Sequence, residues 1–326
     1  SFLNNRLTGT FDWYRRNTKD MLVAGATLPA TLGASVPKSN SADMKTIGWE
    51  LSLGWNDRLE NGFSYWVKGV LSDYQATITK YAGNDAGFYS QSDGDGKYYV
   101  GQKIGEIWGY HSNGLFQSDD EAATIDQSEL YAGKWGAGDV KYEDLGNDGK
   151  ITKGEETIYN PGDKSIIGNK TPRYQFGITV GFDYKNFDFE MFWQGTGKRD
   201  YMLSGAQFWG FTSQWDVPYT PALDYWTETN TDAYFPRPGW QNGGNRVTSD
   251  RYLQSAAYGR LKNLTVGYTI PKNLTTKWGI SRLRLYVTGE NLLTITPLND
   301  AFDPETLGGM TYPINRKVAI GLNLTL

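Results

Sequence analysis

The closing residues of the chain alternate. Val318, Ile320, Leu322, Leu324 and Leu326 take every second position, with Ala319, Gly321, Asn323 and Thr325 between them. Successive side chains of a β-strand point to opposite faces, so a strand here has one wholly apolar face and one small, polar face. A face without large hydrophobes does not suit the inside of a soluble sandwich. It suits a wet lumen, with the apolar face against lipid.

No apolar run approaches the ~18 residues of a spanning helix, which excludes helical membrane proteins. A barrel stays open, because half of each barrel strand faces water. Aromatic residues make up 15% of the chain, and it holds 39 glycines. Both fit a barrel with aromatic girdles and close backbone approaches. A secreted carbohydrate-binding β domain shares this composition and is the alternative of another class. With no cysteine there are no disulfides, thiolate metal sites or cysteine nucleophiles. The single histidine, His111, argues against His-based catalysis. A net charge of -4 offers no footprint for nucleic acid. No export signal is visible from Ser1 onward, so the expectation is a removed signal or a longer parent protein.

The same alternation recurs along the chain. Leu7, Gly9, Phe11 and Trp13 begin it, and a separate strand-like run follows from Met21 to Leu28. Ile47, Trp49, Leu51, Leu53 and Trp55 form one face of a strand that turns at Asp57–Gly62 into Phe63, Tyr65 and Val67. A glycine-rich strand is expected from Val100 to Gln117. Further apolar alternations run from Phe176 to Tyr184, Phe187 to Trp193, Leu264 to Ile270 and Leu283 to Val287. Short turns at 57–62, 185–186 and 271–281 alternate with long loops at 79–99, 118–170, 201–250 and 297–313, the sorting of periplasmic turns and extracellular loops in a membrane barrel. Roughly nine to eleven strands are predicted, with no convincing helix.

Several motifs carry a family likeness. They are Asp12-Trp13-Tyr14-Arg15-Arg16-Asn17-Thr18-Lys19-Asp20-Met21-Leu22, Leu28-Pro29, Gly48-Trp49-Glu50-Leu51, Gly109-Tyr110 to Gly114-Leu115-Phe116, Tyr142-Glu143-Asp144-Leu145 and Ile167-Gly168-Asn169. Later come Phe192-Trp193-Gln194-Gly195, Leu261-Lys262-Asn263-Leu264, Gly289-Glu290-Asn291-Leu292-Leu293 and Asp303-Pro304-Glu305. In this order, over nearly the whole chain, they resemble the carboxyl half of SusC/RagA-type TonB-dependent outer-membrane transporters of Bacteroidota.

The resemblance implies an all-β fold: the carboxyl-terminal portion of a large antiparallel transmembrane β-barrel of ~22 strands, with long extracellular loops. The amino-terminal strands and the plug would come from another part of the same transporter, since open strand edges cannot sit unpaired in lipid. It implies a Gram-negative outer-membrane location and active import of oligosaccharides, with oligopeptides as the close alternative. TonB would drive it under a SusD-like surface lipoprotein lid, in a dimer of transporter–lipoprotein pairs. No enzyme is implied. A passive porin is the reading left by the strands alone.

Three groups of residues are candidate sites. The run from Asp144 to Glu155 follows a calcium loop, with Asp144, Asp148, Thr152 and Glu155 at ligand positions and Lys150 offering its carbonyl. Gly146 stands where an Asp or Asn is expected, with Asn147 next to it. The competing reading is an acidic turn held by its own hydrogen bonds. Trp209, Phe211, Trp215, Tyr219, Tyr225 and Trp226 lie in a loop crowded with aromatics, where flat rings would stack on sugars or pack a partner. Burial is the competing fate for each. Glu50, Lys68, Asp188, Glu190, Gln194 and Arg284 take lumen positions, as a substrate path or as a solvated wall that also touches the plug. Asp188 and Glu190 lack the enclosed cleft that two-carboxylate hydrolysis needs.

Overall fold

Eight strands hydrogen-bond side by side in chain order in the computed structural model, each antiparallel to the last. They are β1 (Leu7–Ala24), β2 (Lys38–Arg58), β3 (Ser64–Tyr81), β4 (Arg173–Tyr184), β5 (Phe187–Lys198), β6 (Tyr258–Thr269), β7 (Arg282–Ile295) and β8 (Lys317–Thr325). The structure describes residues 2–24, 31, 33, 37–82, 87, 98–239, 241–307 and 312–326. Leu28-Pro29, most of the 83–97 loop and Trp240 lie outside them.

Register makes the wall two-faced. Phe11 stands opposite Leu51, which stands opposite Leu71, which stands opposite Phe176. Val266 stands opposite both Phe189 and Val287, and Val287 opposite Ile320. On this outward face Phe11 is 63% exposed and Ile320 83% exposed. In water such a surface would be an association hazard; as the lipid-facing band of a barrel it is the expected surface. Aromatics gather at its short-turn end. Phe182 stacks on Phe189 at 5.0 Å and meets Phe63 at 5.5 Å, while Phe187 meets Tyr268 at 4.7 Å. Trp55 donates from Nε1 to the Tyr65 hydroxyl at 3.2 Å. Trp13 and Trp49, directly opposed, mark the other boundary on β1 and β2.

Several sequence expectations are corrected. Among the described residues the wall holds eight strands; six other strands are short and form three two-stranded ribbons outside it. Val100–Gln117 is not a wall strand. Its start pairs with the loop-side end of β3, Ile78 N–H donating to the Gln102 carbonyl at 2.9 Å. Its remainder splits into Glu106–Tyr110, paired with Lys164–Asn169, and Ser112–Leu115, paired with Val140–Tyr142. Leu7–Ala24 is one strand where two were expected, because a polar stretch interrupts the apolar pattern without interrupting backbone pairing. Asp20, at φ 53, sits at the bulge. Three one-turn helices, Asp119–Ala122, Ala206–Trp209 and Lys272–Thr275, are too short to show a helical period.

The long loops build a second body at the far end of the wall. Its core joins Tyr110, Tyr142, Phe208, Trp209, Trp226, Phe235, Tyr252, Leu298 and Leu307. Trp209 meets Tyr252 edge-on at 4.5 Å, and Phe208 meets Phe235 at 5.1 Å. Burial pushes the Tyr142 and Tyr252 hydroxyls well above the ordinary phenol range. The long connections therefore form a folded head rather than loose tethers.

Candidate functional site

The inward face of the wall carries the first candidate group. Glu50 stands opposite Ser72, Lys68 opposite Thr179, Glu190 opposite Gly181 and Thr265, and Gln194 opposite Gly177 and Arg260. Asp188 and Arg284 meet across the strand between them. Arg284 Nε donates to Asp188 Oδ1 at 2.9 Å, and its Nη2 donates to Oδ2. The two-pronged geometry is that of a guanidinium matched to a carboxylate. Gly267 permits it: a Cβ there would lie 2.5 Å from both Asp188 oxygens. Nearby, Trp66 lies flat over Gly181, its ring 2.2 Å from where a Cβ would stand. Together with Arg282 and Thr265 these groups line one open concavity near the short turns. Its mixed charges and a flat aromatic face favour hydrated, polar contacts.

The aromatic loop divides in two. Trp209 and Trp226 are each 8% exposed and belong to the head core, with Trp209 also lining the cleft beside Phe211 and Tyr225. Packing three long loops together buries most of both rings, the competing fate expected for them. Phe211 and Tyr225 line a narrow cleft with Arg237 and Arg246. Arg246 is spent on the Phe211 and Gly239 carbonyls, both at 3.3 Å, which draws that cleft shut. Trp215 and Tyr219 are exposed, at 83% and 47%, beside exposed Val217 and Leu223. A tight turn presents Trp215. Asp216 accepts from the Thr212 hydroxyl, the Thr212 N–H at 2.8 Å and the Ser213 N–H at 2.7 Å, and the Thr212 hydroxyl first, then these N–H groups, hold its carboxyl below the usual range.

The acidic loop is closed by a residue outside the twelve-position count. Asp163, 3% exposed, accepts from the N–H groups of Leu145 at 2.9 Å, Gly146 at 3.1 Å and Thr152 at 2.6 Å. Between Gly154 and Gly162 the chain makes an excursion that closes on itself, so that a Cβ on either glycine would stand 2.4 or 2.5 Å from the other's nitrogen. Asp144 Oδ2 accepts from Gly149 N–H and Asp148 Oδ1 from Lys150 N–H, at 2.7 and 2.9 Å. Among the described residues no three acidic or histidine side chains form a ready metal cluster. One oxygen is left over: Asp144 Oδ1 is buried with no hydrogen-bond partner. Asp144 Oδ1, the Asp148 carboxyl carbon and Asp163 Oδ1 all lie within 4 Å of the point where a Gly146 side chain would begin, at 3.6, 3.9 and 3.9 Å.

No family model matches the chain. Curated relatives match it end to end. The TonB-dependent receptor P3 of Formosa agariphila is 28% identical over 354 residues, covering 99% of this chain and 33% of the relative. The TonB-dependent receptor SusC of Bacteroides thetaiotaomicron is 26% identical over 330 residues, covering 99% and 30%. The solved RagAB peptide transporter superposes with a TM-score of 0.73 at 20% identity, over 98% of this chain and 34% of that one. The RagAB peptide importer in its open-open state gives 0.73 at 21% identity, over 99% and 33%. The chain thus spans about a third of the length of the proteins it matches. With its two-faced antiparallel wall the chain is similar, along its whole length, to a section of these TonB-dependent receptors, and it shares the fold of the corresponding part of the RagAB structures.

Two residues central to this geometry escaped the sequence reading. Asp163 lies past an excursion that no spacing rule anticipates. Arg260, 2% exposed on the inward face of β6, donates to Asp303 Oδ2 at 2.5 Å and stands 3.2 Å from Glu305. Asp303-Pro304-Glu305 was visible as a motif, but its partner on the wall was not.

Proposed function

We propose that the complete protein is a TonB-dependent importer of the Gram-negative outer membrane, and that this section supplies wall, lumen lining and part of the outer binding surface. The observation that carries the reading is the eight-stranded wall with its apolar outward face and its polar, charged inward face. A lipoprotein lid of the SusD kind, energy from TonB and a dimer of transporter–lipoprotein pairs complete it. The cargo is an oligosaccharide. The exposed rings of Trp215 and Tyr219, held on a fixed turn, offer the flat apolar faces that sugar rings stack on. Oligopeptide import is the second reading, favoured by the superposition on the RagAB peptide transporter.

Calorimetry on the complete transporter with oligosaccharide and peptide panels tests the cargo. Trp215→Ala is expected to weaken oligosaccharide binding about tenfold, the ~1.4 kcal/mol equivalent of one lost stacking contact, with no change in melting temperature. Trp209→Ala is expected to act oppositely, costing about 3–5 kcal/mol of head stability through the cavity it leaves. Binding of peptides alone, untouched by Trp215→Ala, overturns the oligosaccharide reading.

Calcium belongs in this proposal as a structural ion of the acidic loop, on the support of the orphaned Asp144 Oδ1. Adding calcium to the EDTA-treated transporter is expected to raise its melting temperature and slow trypsin cleavage after Lys150 and Lys153. Asp144→Asn should abolish both effects. A parent protein indifferent to calcium sinks the idea.

A further inference from the structure

The outward face of β1 and β2 changes character just beyond the Trp13–Trp49 pair. Arg15 and Asn17 continue the outward positions of β1, with Lys19 next along the chain at the bulge, and Ile47 and Lys45 continue those of β2. Arg15 stands opposite Ile47, and Asn17 opposite Lys45. Arg15 and Lys45 are therefore diagonal neighbours on one face, with Cβ atoms roughly 7–8 Å apart. Arg15 is about 7 Å along the strand from Trp13. Neither Arg15, Lys19 nor Lys45 has an ion-pair partner among the described residues. The carboxylates at this level are engaged elsewhere. Asp73, opposite Trp49, holds Arg173 through two bonds, and Asp43 accepts the Asp20 N–H at 2.8 Å. Asp20 itself lies farther along, at the bulge.

We propose that Arg15, Asn17 and Lys45, with Lys19 behind them, form a clasp for the phosphate of an outer-leaflet lipid headgroup. The position follows from continuity with the lipid-facing band. Tryptophans of a membrane barrel sit at the headgroup boundary, and the long-loop end of the wall is its extracellular end. Cations placed one step beyond the tryptophans meet the depth at which lipid phosphates lie, since long basic side chains reach toward the interface. A guanidinium fork, an amide and an ammonium are complementary donors for phosphate oxygens. Pairing the free edge of β1 with the rest of the barrel leaves the clasp in place, because strands pair in the plane of the sheet and these side chains project out of it.

The proposal rests on the membrane-barrel reading, and the experiment separates the two. The complete transporter is exchanged through detergent, and retained lipid is measured by native mass spectrometry, with a phosphorylated glycolipid and its dephosphorylated form as probes. The parent is expected to retain the phosphorylated form about tenfold better than R15Q/K45Q. Both should retain the dephosphorylated form equally and weakly. Folding is checked by heat-modifiable migration in gels, which should be identical for the two. Equal retention of the phosphorylated form by parent and variant overturns the clasp, as does displacement of the lipid by millimolar inorganic phosphate or a protein bound there in its place. A transporter that folds without detergent and associates with no lipid overturns the barrel reading itself.

Discussion

Replacing Arg260 with methionine is expected to free the 297–307 loop from the wall. Arg260 is almost fully buried and serves three partners: Nε donates to the Thr294 hydroxyl at 2.8 Å, one terminal nitrogen donates to Asp303 at 2.5 Å, and the other stands 3.2 Å from Glu305. Lys262 adds a second contact to Glu305 at 3.2 Å. Removing the guanidinium leaves a partly buried pair of carboxylates with one lysine. Breaking a buried ion pair from one side costs about 3–5 kcal/mol. The loss is local, because Leu298, Phe302 and Leu307 still pack on the head core and Asn299 N–H still donates to Gln254 Oε1 at 2.9 Å. Hydrogen exchange over 298–307 in the complete transporter should therefore accelerate by about two to three orders of magnitude, while β5 and β7 keep their protection. Arg260→Lys should recover only part of it, since one ammonium cannot span Thr294, Asp303 and Glu305 together. Parent-like exchange in the methionine variant would show that the loop is held by its contacts with the head instead. The contact has a functional side as well. Arg260 shares the inward face with Gln194, so Asp303 and Glu305 are drawn against the mouth of the lumen.

Gly195→Ala carries the second large effect. A Cβ there would stand 2.0 Å from the Tyr258 carbonyl oxygen and 2.6 Å from the Phe176 ring. The ring can turn, but the carbonyl belongs to the backbone of the neighbouring strand and moves only if the β5–β6 pairing opens. A cost of about 3 kcal/mol is expected, at the upper end for overpacking. The measure is the fraction of heat-modifiable, folded barrel recovered from outer membranes, which should fall several-fold. Gly259→Ala is the control. It pairs directly with Gly195, yet its Cβ would meet only Phe176, at an ordinary 3.6 Å, and it should be tolerated. Phe176→Ala in the Gly195→Ala background should not restore folding, because the carbonyl overlap remains. Equal recovery of the two alanine variants would mean that the strands give more readily than this geometry allows.

The wall was legible because its signal is local. A period of two is written residue by residue, and the faces that register assembles in the structure are those the alternation announced, from Phe11 across to Ile320. Glu50, Lys68, Asp188, Glu190, Gln194 and Arg284 fall together on the face opposite the apolar one by the same parity. Strand count was less legible. The stretch from Val100 to Gln117 has strand chemistry but pairs in short pieces within the head, and alternation says nothing about which partner a strand finds. The polar stretch within Leu7–Ala24 concealed one continuous strand for the converse reason, since backbone pairing does not depend on side-chain polarity.

The candidate site shows the same division at the level of single residues. Composition identified an aromatic loop without separating buried Trp209 and Trp226 from exposed Trp215 and Tyr219, for burial depends on which other loops arrive. Counting along the acidic loop led to Glu155, whereas the returning chain brings Asp163. The motif Asp303-Pro304-Glu305 was plain in the sequence, and its anchor on Arg260 was not. The two faces of the wall and the likeness to TonB-dependent receptors can be read from residues alone, because both are carried by short-range order. Only the tertiary structure decided which aromatics, carboxylates and arginines do what, because their partners lie up to a hundred and more residues away along the chain, as with Asp139 and Asn245, or His111 and Asp250. Contacts between such distant residues leave no trace in local periodicity.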